Sequence, residues 1–294
     1  MRRICFFTGN MSEGGGVERA TQLLVNQLAL ETNEEIYVLS KSGMGKLPFF
    51  PLSSKIHYST FHKHNSCRGI SILYDVFQLY RYLWHNHIDI LVVVEISLSI
   101  FTLILQIILP HIKYVYWEHF CVLFDNHNRR LCRLRSFALR YGDAYVTLTN
   151  QDKDFLSKKF PKQKNIRTIP NIAPYPLQAN IYDKSSCTII TLGNLLPEKG
   201  SDLAVQTAIK LLKRYPKWKW EFYGDGPLLE ILKKKVAISG CEEKINFHAR
   251  TKDVSHIYSK AAIYVLPSRS EGFGLVLLEA MAFHVPVVAF DVPF

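Results

Sequence analysis

Short apolar runs alternate along this chain with segments in which apolar residues recur every three or four positions. The run 89–94 is rich in β-branched side chains, as in strands that are buried on both faces. Val17, Thr21, Leu24 and Leu28 recur at helical spacing. This alternation predicts parallel sheets covered by helices.

The first half of the chain contains six predicted strands and five predicted helices. The strands are Arg3–Thr8, Glu35–Ser40, 55–61, 89–94, Lys113–Trp117 and 144–148. The helices begin at Val17 and Asn150 or span 70–85, 97–109 and 128–141. The most hydrophobic stretch, 96–109, is shorter than the roughly 20 residues of a membrane-spanning helix, so we expect a buried helix there.

A proline-rich segment, 169–176, separates this first half from a second alternation of predicted strands and helices. We predict a first domain at 1–170, a linker at 171–187 and a second domain at 188–294. The second-domain strands are Thr188–Leu192, Lys219–Tyr223, 244–248, 262–266 and 285–290, and its helices are 201–215, 228–239, 253–260 and 274–283. We expect the strand order 3-2-1-4-5 without a sixth edge strand, as in a chain cut short at its C-terminus. Two open α/β domains also predict a ligand site in a cleft at the carboxyl ends of their strands.

The composition narrows the class of partner. The chain has 36 basic and 25 acidic residues among 294, and 21 of the basic and 13 of the acidic residues lie in 1–172. Such a charge suits nucleic acid, an anionic membrane or a phosphorylated substrate. The six cysteines show no metal-ligand spacing, which is typical of reduced thiols in a cytoplasmic protein.

The segment 271–279 carries the most specific chemistry. Glu271 and Glu279 lie about two turns apart along a predicted apolar helix. Gly272 and Gly274 permit close approach of a ligand to the backbone at the helix start. The alternative is one acid that caps the helix and one that is solvated.

This segment, with 265–270 before it and 286–291 after it, resembles the E-x7-E motif of retaining glycosyltransferases of family 4. These enzymes have two Rossmann-like domains with parallel sheets, the GT-B fold, and the resemblance covers essentially the whole chain. It implies that Glu271 contacts the donor sugar near the reacting centre and that Glu279 binds the nucleotide ribose. Gly272, Phe273 and Gly274 are the accompanying substrate-binding positions.

The segment 192–200 resembles the family's second signature at a strand end. Lys199 matches the lysine that binds the donor diphosphate, and Gly193 matches the glycine of the turn. Asn194 stands where the family has an arginine, and an amide cannot neutralise the charge of a leaving group. A structural lysine at a helix start is the alternative for Lys199, although a cation there opposes the helix dipole.

Other elements match the family less specifically. Gly224 resembles the second glycine turn near the nucleotide, but on its own it indicates only a tight turn. Gly15 and Gly16 belong to a loop that resembles the family's G-G-x-E-R element near the donor phosphates and acceptor. Ala249 and His284 stand where the family commonly has glycines.

His119 matches a family histidine beside the donor sugar, and Glu118 next to it is a weaker candidate. Both follow a predicted strand and are expected to emerge at the cleft. A strand-end histidine with satisfied hydrogen bonds is the alternative. Asp152 and Asp154 imitate a D-x-D metal motif, but acids at a helix start favour the dipole, and we expect no metal.

Basic residues cluster on the predicted helix 128–141. They are Arg129, Arg130, Arg133, Arg135 and Arg140, beside an apolar stripe of Leu131, Leu134, Phe137, Ala138 and Tyr141. The pattern suits a helix at an anionic membrane or a site for a lipid-diphosphate acceptor. A solvated helix packed on its own sheet is the alternative.

The leading hypothesis is therefore transfer of a sugar, with retention, from a nucleotide diphosphate sugar to an acceptor hydroxyl. The expected acceptor is a cell-envelope glycan or a lipid-linked one, and the expected place is the cytoplasm, with peripheral contact at the inner membrane. No cofactor is expected besides the nucleotide sugar as co-substrate. The second hypothesis is a truncated, inactive chain of the same type. Nucleic-acid binding is disfavoured because no recognition motif accompanies the charge.

Overall fold

The computed structural model describes residues 1–61, 68–178 and 182–292. It divides into two compact units, Met1–Ile172 and a second one that begins at Ala173. Residues 179–181 of the predicted linker lie outside the described residues.

The first unit is built on a seven-stranded parallel sheet in the order β3-β2-β1-β4-β5-β6-β7. Its strands are β1 Arg3–Thr8, β2 Glu35–Ser40, β3 His57–Thr60, β4 Ile90–Val94, β5 Lys113–Trp117, β6 Ala144–Thr147 and β7 Ile166–Thr168. The six predicted strands are confirmed, whereas β7 is short and carries a central arginine, so no apolar run marks it.

Helices connect these strands and cover the sheet. They are α1 Gly16–Glu31, α2 Arg68–His85, α3 Leu105–Ile108, α4 Arg129–Tyr141 and α5 Asn150–Lys159. The central strand β1 pairs on one side with β2 and on the other with β4, so Phe7 is fully buried between strand neighbours and covering helices. Apolar side chains of the strands and of α4 form the core of this unit.

The prediction of one continuous helix over 97–109 is wrong. The chain makes a 3-10 turn at Ile96–Phe101 and then only the single-turn helix α3. The Ser99 hydroxyl donates to the Ile96 carbonyl at 2.7 Å, and the Thr102 hydroxyl donates to the Ser99 carbonyl at 2.8 Å. Such local side-chain bonds compete with continuous α-helix. No helix in the three described segments is long and apolar enough to cross a membrane.

The second unit has a five-stranded parallel sheet in the order β10-β9-β8-β11-β12. Its strands are β8 Thr188–Leu192, β9 Lys219–Tyr223, β10 Ile245–His248, β11 Ile263–Leu266 and β12 Val287–Ala289. Its helices are α6 Ser201–Arg214, α7 Leu229–Ser239, α8 Ser255–Tyr258 and α9 Leu275–Ala282. The predicted order 3-2-1-4-5 is confirmed, and it puts the ends of β8 and β11 side by side near the centre of the sheet.

Candidate functional site

Two glycine turns pack together at the carboxyl ends of β8 and β9. Gly193 and Gly224 have φ angles of 144° and 147°, in the region that favours glycine. A Cβ atom on Gly224 would lie 2.0 Å from the Gly193 carbonyl oxygen, so no larger residue fits there. The Leu195 amide donates to the Asp225 carbonyl at 2.9 Å and joins the two turns. Gly193 is exposed and has free space where a Cβ atom would lie, whereas Gly224 is buried beneath it.

A tight turn presents Lys199 just before α6. Residues Pro197–Lys199 form a 3-10 turn, and Gly200 follows in the left-handed region with φ 65°. A Cβ atom on Gly200 would lie 1.8 Å from the Pro267 carbonyl oxygen, so the turn is packed directly on the loop after β11. The position of the lysine is thus set by backbone contacts.

Arg269, in the loop after β11, clamps the same turn. Its guanidinium donates to both carboxylate oxygens of Asp202 at 2.8 and 2.9 Å and also to the Pro197 carbonyl. Its backbone amide donates to the Glu198 carbonyl at 2.8 Å. These bonds hold the loop before α6 and the loop before α9 together.

Lys199 and Glu271 meet across these two loops. The Lys199 ammonium donates to Glu271 Oε1 at 2.8 Å, and the Ser268 hydroxyl donates to the same oxygen at 2.6 Å. Glu271 is only 7% exposed. It does not cap α9, because that helix begins after Gly274, which has φ 72° and provides no side-chain cap. The two residues implied for the diphosphate and the sugar are therefore in direct contact.

Glu279 lies on α9 and is 8% exposed. The Tyr258 hydroxyl donates to Glu279 Oε2 at 3.1 Å. Burial, the neighbouring Tyr264 and the carboxylate of Glu279 raise the pKa of Tyr258 well above its ordinary value, so its hydroxyl stays a donor. The alternative of one capping acid and one solvated acid is thus wrong for Glu271 and Glu279.

Asn194 has a partner that sequence reasoning missed. Arg250, in the loop after β10, donates from Nη2 to Asn194 Oδ1 at 2.7 Å. The two positions are 56 residues apart, and only the sheet order brings them together. In the sequence, the only sign of this partner was a basic residue next to Ala249, where the family commonly has a glycine.

His284 shows why a glycine is common at its position. It is one of three non-glycine residues with positive φ in the described segments, at 57°. Histidine tolerates this conformation better than most side chains. Its ring nitrogen Nε2 lies 2.9 Å from the Gln178 carbonyl oxygen. This contact holds the turn between α9 and β12 in place.

In the first unit, Glu118 and His119 directly follow β5, as predicted, but both side chains are buried. Glu118 is 1% exposed and forms an ion pair with Arg135 at 2.8 Å. The Tyr145 hydroxyl donates to the same carboxylate at 2.7 Å. The role of Glu118 is therefore structural.

His119 is also buried, and its ring lies against Trp117 with centroids 4.2 Å apart. Its Nε2 atom has no hydrogen-bond partner in the described part of the chain, so the alternative of a satisfied histidine does not hold. Burial lowers the pKa of His119 to about 3. The imidazole is neutral, and its buried Nε2 atom has no hydrogen-bond partner among the described residues.

Glu95 directly follows β4 and is a candidate that sequence reasoning missed. Its φ of 80° is unusual for a residue with a side chain. Burial, followed by the nearby carboxylates of Glu18 and Glu118, raises the pKa of Glu95 to about 7. An acid directly after a buried strand was the available signal.

In the loop after β1, Gly15 is the N-cap of α1 and Gly16 is its first residue.

The arginines of α4 divide into two groups. Arg129, Arg130, Arg133 and Arg140 are exposed. Arg135 lies on the same helix, as predicted, but is 2% exposed and so takes no part in its basic surface. Its guanidinium satisfies Glu118, which would otherwise be an isolated buried charge.

The acids of the D-x-D sequence do not act together. Asp152 is buried and accepts a hydrogen bond from the Val122 amide at 3.0 Å, whereas Asp154 is exposed. Thr149 caps α5 through the Asp152 amide. Asp152 thus anchors the loop that follows β5.

Known proteins share this sequence and architecture. The family model described as glycosyl transferases group 1 matches residues 178–294. An uncharacterized glycosyltransferase of Haemophilus influenzae is 33% identical over 299 residues, which cover 99% of this chain and 81% of that protein. The amylovoran biosynthesis glycosyltransferase AmsD of Erwinia amylovora is 23% identical over 99% of this chain and 81% of its own length.

Among solved structures, a TarM variant of S. aureus with UDP, fondaparinux and alpha-GlcNAc-glycerol superposes with a TM-score of 0.82. The match covers 100% of this chain and 86% of that one at 12% identity. At this identity the likeness shows the fold, which is α/β with two parallel Rossmann-like sheets of the GT-B type.

Proposed function

This chain belongs to the glycosyltransferases, and we propose that it transfers a sugar, with retention, from a nucleotide diphosphate sugar to an acceptor hydroxyl. The observation that carries the proposal is the contact of Lys199, Glu271 and Ser268 beside two packed glycine turns. A cation, a buried carboxylate and an exposed glycine turn at Gly193 together suit a sugar joined to a diphosphate.

The second unit supplies the donor-binding groups in this proposal. Lys199 and the backbone at Gly193 and Gly224 face the diphosphate, where they stabilise the negative charge that develops on the leaving group. These groups are in place before reaction, so the charge is met without reorganisation. The donor is the co-substrate, and the proposal requires no other cofactor.

Glu271 and Glu279 divide the rest of the donor between them. Glu271 already accepts two hydrogen bonds and has oxygens that can accept sugar hydroxyls. Glu279 lies eight residues after Glu271 and is held by the Tyr258 hydroxyl. It accepts hydrogen bonds from the ribose hydroxyls. Gly272, Phe273 and Gly274 form the chain between them and approach the donor.

In the first unit, we assign to His119, Gly15 and Gly16 the contacts with reacting sugar and acceptor that the resemblance implies. The free Nε2 atom of His119 supports this assignment, because an unpaired buried polar atom is costly unless a ligand meets it. The neutral ring donates or accepts one hydrogen bond and supplies no charge.

The test is turnover of a panel of nucleotide sugars on glycan and lipid-linked acceptors, with the anomeric configuration of the product determined by NMR. We expect a retained configuration and a rate at least about tenfold lower in Glu271→Gln and Lys199→Met. Arg214→Ala, an exposed arginine at the end of α6, is the matched control. A folded protein that binds donor and turns over none of the panel supports the inactive-chain alternative instead.

We also propose that the acceptor is reached at an anionic membrane. In the first unit, α3 exposes Ile104, Ile107 and Ile108, with Ile107 81% exposed. The 3-10 turn that leads to α3 packs against α4, the helix that carries the exposed arginines. Exposed apolar side chains and cations on neighbouring elements suit a bilayer of anionic lipid.

Sedimentation with vesicles tests this contact. We expect binding to phosphatidylglycerol vesicles, little binding to phosphatidylcholine vesicles, and weakening by salt. Ile107→Asn and the double variant Arg130→Gln with Arg133→Gln should each reduce binding. Equal binding of wild type and both variants would contradict the proposed surface.

A further inference from the structure

The charge balance of the loop between β8 and α6 is incomplete for a diphosphate. Lys199 is the cation of this loop, and Glu271 lies 2.8 Å from its ammonium. The side chain of Glu271 is 8% exposed, so the pair is partly shielded from water and the lysine charge is matched. A diphosphate carries more than one negative charge, and it would have to share this single, matched cation.

Arg250 brings a second cation to the same loop. Its guanidinium contacts Asn194 at 2.7 Å, and its backbone amide lies 3.4 Å from the Asp225 carboxylate. Within the described residues, no carboxylate lies within ion-pair distance of the guanidinium itself. Because its partner is a neutral amide, the arginine is held in place and keeps its full charge. Its remaining N–H groups are available as donors.

We propose that Arg250 contacts the donor diphosphate and is its second cation, with Asn194 as the residue that positions it. The inference rests on the proposed function and deepens it. The glycosyltransferase resemblance implies an arginine at position 194 itself. Here the guanidinium comes from the end of β10, two strands away from β8, and reaches position 194 from the side. The charge is retained at the site although the sequence motif has lost it.

Binding of UDP, ADP and GDP and of the matching nucleosides, measured by calorimetry, tests the proposal. We expect Arg250→Ala to weaken the preferred nucleoside diphosphate about 10- to 100-fold, as for a lost charge-assisted hydrogen bond, and to leave the nucleoside unchanged. Arg250→Lys should recover part of the loss. Arg214→Ala is again the control, and circular dichroism reports the fold of each variant.

An exchange of the two side chains separates charge from location. Arg250→Asn alone should lose affinity, and the double variant Asn194→Arg with Arg250→Asn should regain it to within a few-fold of wild type. Asn194→Ala should cause a smaller loss, since the guanidinium remains but is no longer held.

Three results would overturn the inference. Unchanged diphosphate affinity in Arg250→Ala would show that Arg250 does not contact the ligand. An equal loss for nucleoside and diphosphate would place Arg250 at the base. A wild-type protein that binds none of the nucleoside diphosphates would overturn the proposed function together with the inference, whereas the first two results leave the proposed function intact.

Discussion

At the scale of single residues, burial displaces the pKa values of Glu95 and His119 in opposite directions. Glu95 is pushed towards its protonated form and His119 towards its neutral form, so both groups avoid charge near the ends of β4 and β5. Glu118 beside them is paired with Arg135 at 2.8 Å. Between about pH 3 and pH 7, Glu95 and His119 are therefore largely uncharged hydrogen-bonding groups at this edge of the first unit, as suits sugar hydroxyls.

Glu95→Gln should stabilise the protein increasingly as pH rises. Burial raises the pKa of Glu95 from 4.5 to about 7, so the folded state keeps a proton that the unfolded state releases between these values. The wild type therefore loses stability as pH rises through this window, and the glutamine variant does not. Urea unfolding at about pH 5 and pH 8 measures the difference, with the exposed Glu31→Gln as control. A constant difference at both pH values would refute this assignment.

His119 should show the reverse dependence. Burial lowers its pKa from 6.5 to about 3, so below pH 6.5 the unfolded state takes up a proton that the folded state does not. The folded state therefore loses stability as pH falls from 6.5 towards 3, and His119→Gln should lose less. In NMR the His119 ring should show no titration between about pH 5 and pH 8. A titrating His119 would be incompatible with a buried neutral ring.

At the scale of elements, α4 combines an exposed basic surface with one buried arginine. Arg135→Ala removes the partner of Glu118 and should cost about 3 to 5 kcal/mol of unfolding free energy, as for other broken buried pairs. Arg133→Ala, on the exposed side of the same helix, should change it by less than about 0.5 kcal/mol. Denaturant unfolding of both variants gives the comparison. Similar losses would mean that the ion pair contributes no more than a surface charge does.

The same helix illustrates what periodicity can predict. Helical spacing located α4 to within one residue at its start, because its apolar stripe packs on the sheet. The sequence placed all five arginines on this helix. Which of them is buried depends on a partner in another element. Only Arg135 faces Glu118, 17 residues earlier in the chain. Hydrophobic pattern thus predicts elements, whereas long-range polar contacts decide which charges are buried.

The candidate site was predictable to a similar depth. Glycines and acids in short motifs indicated Lys199, Glu271 and Glu279 from the sequence. The contact between Lys199 and Glu271 spans 72 residues and depends on the order of β8 and β11 in the sheet. Arg250 was overlooked for the same reason, since its role follows from a neighbouring strand end and from no local pattern.

At the scale of the whole molecule, the two units carry different parts of the proposed chemistry. The groups assigned to the nucleotide diphosphate all lie beyond Ala173, in the second unit. Those assigned to the acceptor and the membrane, and most of the excess positive charge, lie in the first. Ligands for one function should therefore act mainly on one unit.

Hydrogen exchange with and without a nucleoside diphosphate tests this division. A ligand that binds only the folded state stabilises it by about 2.7 kcal/mol at a hundredfold excess over its Kd. We expect the strongest added protection in peptides that cover 193–200, 248–251 and 267–279, since these loops hold Lys199, Arg250 and Glu271. Peptides of β1 to β3 should change little. If protection appeared chiefly in the first unit, the nucleotide would not bind at the loops of β8, β10 and β11, and the assignment of donor and acceptor sides would have to be exchanged.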